Sequence, residues 1–101
     1  MKTVEINITE ADIIRSIKNL QYSPIEYAAA RTLKENVDNV EVKTDCIIIW
    51  NEDDSDYESY IYSDEYLDKV RLFIEEWWDF KDNIIDEFCG EPFDFKANLQ
   101  K

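Results

Sequence analysis

The 101-residue chain carries 24 acidic against 11 basic side chains, a net charge of −13, with 45% hydrophobic and 14% aromatic residues, one glycine and no histidine. Its apolar content argues against a disordered acidic tail and is enough for a core. Histidine-based catalysis is excluded, and direct binding to nucleic acid or to an anionic membrane surface is disfavoured because both would repel it.

In chain order, Val4, Ile6 and Ile8 alternate with polar residues as a first strand, and Thr9 followed by Asp12 forms the signature that opens a helix. Its expected inward face is Ile13, Ile14, Ile17 and Leu20. Ser23-Pro24-Ile25-Glu26 combines an N-cap serine, a proline where no amide hydrogen is needed and a glutamate reaching back, so a second helix runs to about Asn36. Ile25, Ala28, Ala29, Leu33 and Val37 would pack inward, the alanines allowing close approach.

Val40 and Val42, then the β-branched run from Cys46 to Trp50, predict strand structure interrupted or bent near Thr44 and Asp45. Tyr57, Tyr60, Ile61 and Tyr62 form a further strand, paired with the previous one as a hairpin across residues 51–56. Ser63 can cap a long helix from Asp64 to about Phe88, ended by Gly90 and Pro92, with a break allowed at residues 79–82. Phe93, Phe95 and Ala97 predict a last strand returning to the sheet. The expected fold is one α+β domain over residues 1–101: a small mixed or antiparallel sheet of about four strands against two short helices and one long one.

Charge is segregated along this order. Residues 1–50 carry eight acids and six bases, and residues 51–101 carry sixteen acids and five bases. On the long helix, Tyr66, Val70, Phe73, Trp77, Phe80, Ile84 and Phe88 share one side within about 40°, which predicts core. Asp68, Glu75, Asp79, Asp82 and Asp86 fall on the opposite side within about 30°. Glu52, Asp53, Asp54, Asp56 and Glu58 lead into Asp64 and Glu65 with no base between residues 51 and 68. In an extended segment Asp54, Asp56 and Glu58 would project together at intervals of roughly 6–7 Å, comparable to successive phosphates of a nucleic-acid strand. Tyr57 and Tyr60 interleave these acids, and tyrosine supplies stiff amphipathic contact area at interfaces. Leu72 projects near the acidic side, and Trp78 toward the edge of the apolar face. Solvation alone is the plain alternative for such a charge run.

Other chemistry is poorly supported. Serine and cysteine nucleophiles would lack their usual base, and the wheel turns Trp77 away from the acids, so no glycosidase-like cleft is expected and the chain reads as no enzyme. Asp54, Asp56, Glu58 and Glu65 match positions one, three, five and twelve of an EF-hand loop, but the sixth is Ser59 and the span reads as strand. No metal or cofactor is therefore expected. Cys46 and Cys89 lack metal-ligand spacing and read as reduced structural thiols. Without a signal-peptide pattern or a bilayer-length apolar run, a cytoplasmic location is expected.

The segments Ile8-Thr9-Glu10-Ala11-Asp12-Ile13, Ser23-Pro24-Ile25-Glu26-Tyr27-Ala28, Phe73-Ile74 and Gly90-Glu91-Pro92-Phe93-Asp94-Phe95 together resemble a diffuse group of small phage and bacterial proteins without assigned function. The resemblance implies a compact α+β fold and a phage connection, and it transfers no functional residue. In size, acidity and mixed structure the chain is also similar in kind to anti-CRISPR and other phage-encoded DNA-mimic inhibitors, which place carboxylates where a host protein expects phosphates. That similarity implies a basic nucleic-acid-binding partner such as a CRISPR effector, met in the cytoplasm of an infected bacterium. The expected contact set is the acids of residues 52–65, the acidic helix row, Tyr57, Tyr60 and Leu72. An adaptor or assembly protein that binds a partner, or a second copy of itself, through an apolar face of the long helix is the alternative.

Overall fold

The computed structural model describes residues 2–51, 53 and 55–100. The elements are β1 (Thr3–Asn7), α1 (Glu10–Lys18), α2 (Pro24–Leu33), a 3-10 turn (Val37–Asn39), β2 (Val40–Val42), β3 (Cys46–Trp50), β4 (Tyr57–Tyr62), α3 (Asp64–Lys81) and β5 (Asp94–Gln100). The sheet has five antiparallel strands rather than about four, in the order β1-β5-β4-β3-β2. The extra strand arises because the bend at Thr44 and Asp45 is a tight hairpin turn, closed by the Lys43 amide donating to the Cys46 carbonyl at 2.8 Å.

Strand alternation sorts the sheet into two faces. Val4, Ile6, Val40, Ile47, Ile49, Tyr60, Tyr62, Phe95 and Ala97 share the inner face and join one apolar cluster with Ile13, Ile25, Ala28, Ala29, Val70, Phe73 and Ile74 of the helices. The three alanines Ala28–Ala30 are buried, as close approach of α2 requires. A chain of rings runs through this layer: Tyr62 on Phe95, Phe95 on Phe93, Phe93 on Phe73, and Phe73 on Phe88, with centroids 5.2–5.9 Å apart. The Tyr62 hydroxyl donates to the Lys43 carbonyl at 2.7 Å and ties this core to the β2–β3 turn; burial pushes its ionisation well above the ordinary tyrosine value.

Both short helices start as their sequences require. The Thr9 hydroxyl accepts from the Asp12 amide while the Asp12 carboxylate accepts from the Thr9 amide, and Ser23 and Glu26 repeat the reciprocal pair. Helix α2 stops at Leu33 rather than near Asn36, because Lys34 adopts a left-handed conformation (φ 58°) and the Glu35 amide returns to the Ala30 carbonyl.

The inward face of α1 departs from expectation. Ile13 is buried, but Ile14, Ile17 and Leu20 are exposed, and Asp12 and Ser16 occupy the interior instead. The cause is Arg31 of α2, whose guanidinium forks onto Asp12 at 2.6 and 2.9 Å and also donates to the Asn7 carbonyl at 2.8 Å. Turning Asp12 inward rolls Ile14, about 160° away around the helix, out to solvent.

Helix α3 ends at Lys81, so the row expected over residues 64–88 is not continuous. Asp82 and Asn83 are weak helix formers, and an aspartate is unfavourable at the negative end of a helix dipole. Asn83 takes the left-handed conformation (φ 63°), and the Ile84 and Ile85 amides both return to the Asp79 carbonyl. Ile84, expected in the core, is consequently 70% exposed. Phe88 reaches the core by folding back onto Phe73 and Trp77. Gly90 permits that return, since a Cβ there would overlap the Phe88 and Phe73 rings.

Candidate partner-binding surface

The expected contact residues divide into three groups. At the tip of the β3–β4 hairpin stand Asp53, Asp56, Tyr57 and Glu58, all exposed; Glu52 and Asp54 lie outside the described residues. Asn51 organizes the tip, its side-chain oxygen accepting from the Ser55 and Asp56 amides at 3.0 and 3.2 Å. Asp53 accepts from the Ser55 hydroxyl at 2.6 Å and from its amide at 3.0 Å, and these bonds hold its carboxyl below the ordinary value. Asp53 is therefore engaged in building the turn. Tyr60 is 3% exposed, because it shares the inner face with Tyr62, so it is removed from the expected contact set. Tyr57 points to the other face, is 55% exposed and packs on Trp50 with ring centroids 5.1 Å apart.

The second group, Asp64 and Glu65, opens α3 at the far end of β4, about 17 Å of strand from the tip. Both are exposed. Ser63 makes no side-chain cap bond, its hydroxyl instead accepting from the Asn98 amide group at 3.3 Å. The two acids supply the negative charge that a helix N-terminus favours, which is a structural use for them.

The third group lies along α3. Asp68, Glu75 and Asp79 are exposed on one side of the helix, whereas Asp82 caps its end and Asp86 belongs to the returning segment, so neither extends the row as a helical face. Asp68 approaches Arg71 at 3.8 Å, and among the described residues no cation pairs with Glu75, Asp79, Asp82 or Asp86. Beside this row the returning segment leaves a groove of about 630 Å³, lined by Leu72, Glu75, Glu76, Asp79, Ile85, Glu87 and Cys89. Glu76 closes its inner end by accepting from the Cys89 amide at 2.6 Å. Leu72, one of its lining residues, is 68% exposed, and Trp78 of the same helix is 43% exposed. Leu72 thus lies among acids as expected, while Cys89, read as structural from sequence, is an exposed thiol; only Cys46 is buried.

Three features were missed by sequence reasoning. Glu35 follows α2 in chain order but lines the hairpin-tip pocket with Asp56 and Glu58, a juxtaposition only the fold creates. Trp50 could have been placed opposite Ile49 by strict alternation, and its indole N–H donates to Glu41 at 3.1 Å. The exposed trio Ile14, Ile17 and Leu20 follows from the Asp12–Arg31 pair, which leaves no mark in the local pattern.

Glu58 lies in β4 and Glu65 in α3, so the EF-hand-like spacing does not curl around a common centre. Among the described residues there is no cluster of three or more metal-ligating side chains, and no helix is long and apolar enough to cross a membrane. No family model, curated protein or solved structure matches the chain.

Proposed function

We propose that this chain is a non-catalytic, phage-type inhibitor that binds the basic nucleic-acid-binding surface of a bacterial defence protein, a CRISPR effector in the first instance, by presenting carboxylates in place of phosphates. The observation that carries the reading is the unneutralised acidic side of α3. Glu75 and Asp79 stand exposed beside Leu72, together with Glu87 across the groove, and no cation of the chain pairs with them among the described residues. Carboxylates in that state steer a basic partner and form ion pairs on contact, while Leu72 adds an apolar anchor. The hairpin tip supplies a second acidic contact.

The test is binding to a panel of purified CRISPR effectors, with nucleic-acid cleavage as the second readout. A target should be retained at low salt, lose affinity steeply as salt rises, and be protected from its nucleic acid. The variant Glu75→Gln/Asp79→Asn/Glu87→Gln should bind about tenfold more weakly with a shallower salt dependence, because fewer charges meet the partner. Tight binding indifferent to both salt and this variant would refute nucleic-acid imitation.

A second reading, an adaptor that binds through an apolar helix face, is favoured by one specific observation, made at α1 and not on the long helix where that face was expected: Ile14, Ile17 and Leu20 are exposed together there. An apolar interface there would hold or tighten at high salt, which separates the two readings.

A further inference from the structure

Strand β3 is apolar at every position from Cys46 to Trp50, a pattern that belongs to a strand covered on both faces. The chain covers one of them. Ile47 and Ile49 join the cluster to which all three helices contribute, whereas the register sets Cys46, Ile48 and Trp50 beside Ile61, Ser59 and Tyr57 on the outer face of the sheet. Tyr57 is 55% and Ile61 36% exposed there, and Ile48 and Trp50 are half-buried. We propose that this outer face docks a second copy of the chain, forming a twofold-symmetric dimer packed sheet to sheet.

Charge selects the occupant. Glu5, Glu41 and Asp94 on this face, with Asp45 at its rim beside Cys46, stand against Lys43 and Lys96, a net charge of −2 in a chain of −13. Two of these acids are matched in place: Lys96 sits opposite Glu5 in the register, and Glu41 receives the Lys43 ammonium at 3.6 Å and the Trp50 indole N–H at 3.1 Å. A basic partner is drawn to α3 and the hairpin tip, where acids stand unpaired; the outer face suits a surface as apolar and as nearly neutral as itself. A second copy presents that surface. Packing sheet to sheet also leaves the two α3 layers on the far sides of sheets about 10 Å apart, well beyond the Debye length of about 8 Å, so their repulsion is screened.

The acidic tips choose the symmetry. With a twofold axis along the strands, Asp53 and Asp56 would meet their counterparts at one end of the dimer. With the axis across the strands at the Ile48–Ser59 row, the tips point to opposite ends and β3 and β4 lie over their own counterparts. The Trp50 and Tyr57 rings of one copy then cover Cys46 and Ile61 of the other. Five strands about 4.8 Å apart and about five residues long give a projected footprint of about 400 Å² per copy, small for a specific interface, so the dimer is a reversible one.

The experiment is sedimentation equilibrium of the whole protein over a range of concentrations, with amide and indole NMR spectra recorded across the same range. The Cys89→Ser variant is used throughout, so that the exposed thiol cannot cross-link copies. The chain should be half dimeric at roughly 100 μM, the weakness expected of so small a contact. From low to high salt the dimer should tighten by about threefold, because salt screens the repulsion between copies and favours apolar contact. The Trp50 indole and the amides of Ile48, Tyr57 and Ile61 should shift with concentration while those of α1 and α3 hold. Ile48→Lys/Ile61→Lys, two changes on the uncovered face, should weaken association by about tenfold or more and keep the spectrum of the folded protein. If that pair disturbs the sheet, Tyr57→Lys at the more exposed ring carries the same expectation. A chain that stays monomeric at millimolar concentration in high salt, a dimer indifferent to these variants, or concentration-dependent shifts confined to Ile14, Ile17 and Leu20 would each overturn the assignment. Self-association that strengthens with salt is read independently of effector capture, which weakens with it.

Discussion

The two halves of this molecule use carboxylates in opposite ways. Around α1 and α2, Asp12 receives Arg31 and Thr9, and Glu26 receives the Ser23 amide, so these acids complete helix ends and join elements. Along α3, Glu75 and Asp79 stand three and four residues from other acids without an ion-pair partner among the described residues, an arrangement that weakens a helix by a few tenths of a kcal/mol per pair. Acids that hold a fold together are found with their donors. Acids that work against their own helix point to a use outside it, and that contrast underlies the proposed partner.

The largest expected effect breaks the first half. Arg31→Ala leaves Asp12 buried without its guanidinium and should destabilise the protein by about 2–3 kcal/mol, less than a fully buried pair because Arg31 itself is half exposed. Thermal unfolding should register a fall of about 10 °C or more. The pH signature has a definite sign. Burial alone would raise the Asp12 carboxyl, but the Arg31 and Thr9 hydrogen bonds, with the Arg31 charge, bring it below its ordinary value of 3.8. Its stabilisation is thus present above that value and lost as pH falls through the lowered folded one. Glu26 acts in the opposite sense, since burial raises it above 4.5 despite the Ser23 bonds, so the fold gains as that carboxyl protonates. The difference in acid unfolding between the parent and Arg31→Ala isolates the Asp12 contribution; superimposable acid limbs would show that the pair does not govern this region.

A smaller effect of opposite sign is expected one turn along α1. The Ser16 hydroxyl is fully buried and has no hydrogen-bond partner among the described residues. Ser16→Ala removes that orphaned group and improves helix propensity, so it should stabilise by about 1 kcal/mol in denaturant titration. A loss of stability would mean that the hydroxyl has a partner, such as a bound water.

Local chemistry was legible where one segment decides its own fate. The capping boxes of α1 and α2, the hairpin between β3 and β4, and the α3 stripe from Tyr66 to Phe80 are all set by spacing and cap residues within a few positions. One error has a distant cause and one a local cause that spacing alone underweighted. Arg31, nineteen residues beyond Asp12, decides how α1 rolls and therefore exposes Ile14. Asn83 ends α3 early, which turns Ile84 out and lets Phe88 come back from another direction. At the surface, the acidity of α3 could be read directly. The hairpin-tip pocket could not, because Glu35 joins Asp56 and Glu58 only through the packing of α2 on the sheet.

The smallest expected change is also the sharpest test of the contrast between the halves. Asp79 lies in the last turn of α3, near the negative end of the helix dipole, with Glu75 and Glu76 one turn before it and Asp82 three residues after. Asp79→Lys removes these repulsions, replaces them with attractions and places a cation where the dipole favours one, so it should raise stability by about 0.5 kcal/mol. The side chain is exposed and its backbone carbonyl still receives the Ile84 and Ile85 amides, so the helix end is undisturbed. The same change should weaken binding to a basic partner, because it puts a positive charge beside Leu72 in the groove. A more stable protein that binds less well marks Asp79 as a carboxylate kept for its partner. A destabilised one would place it with Asp12, among the acids that the fold itself requires.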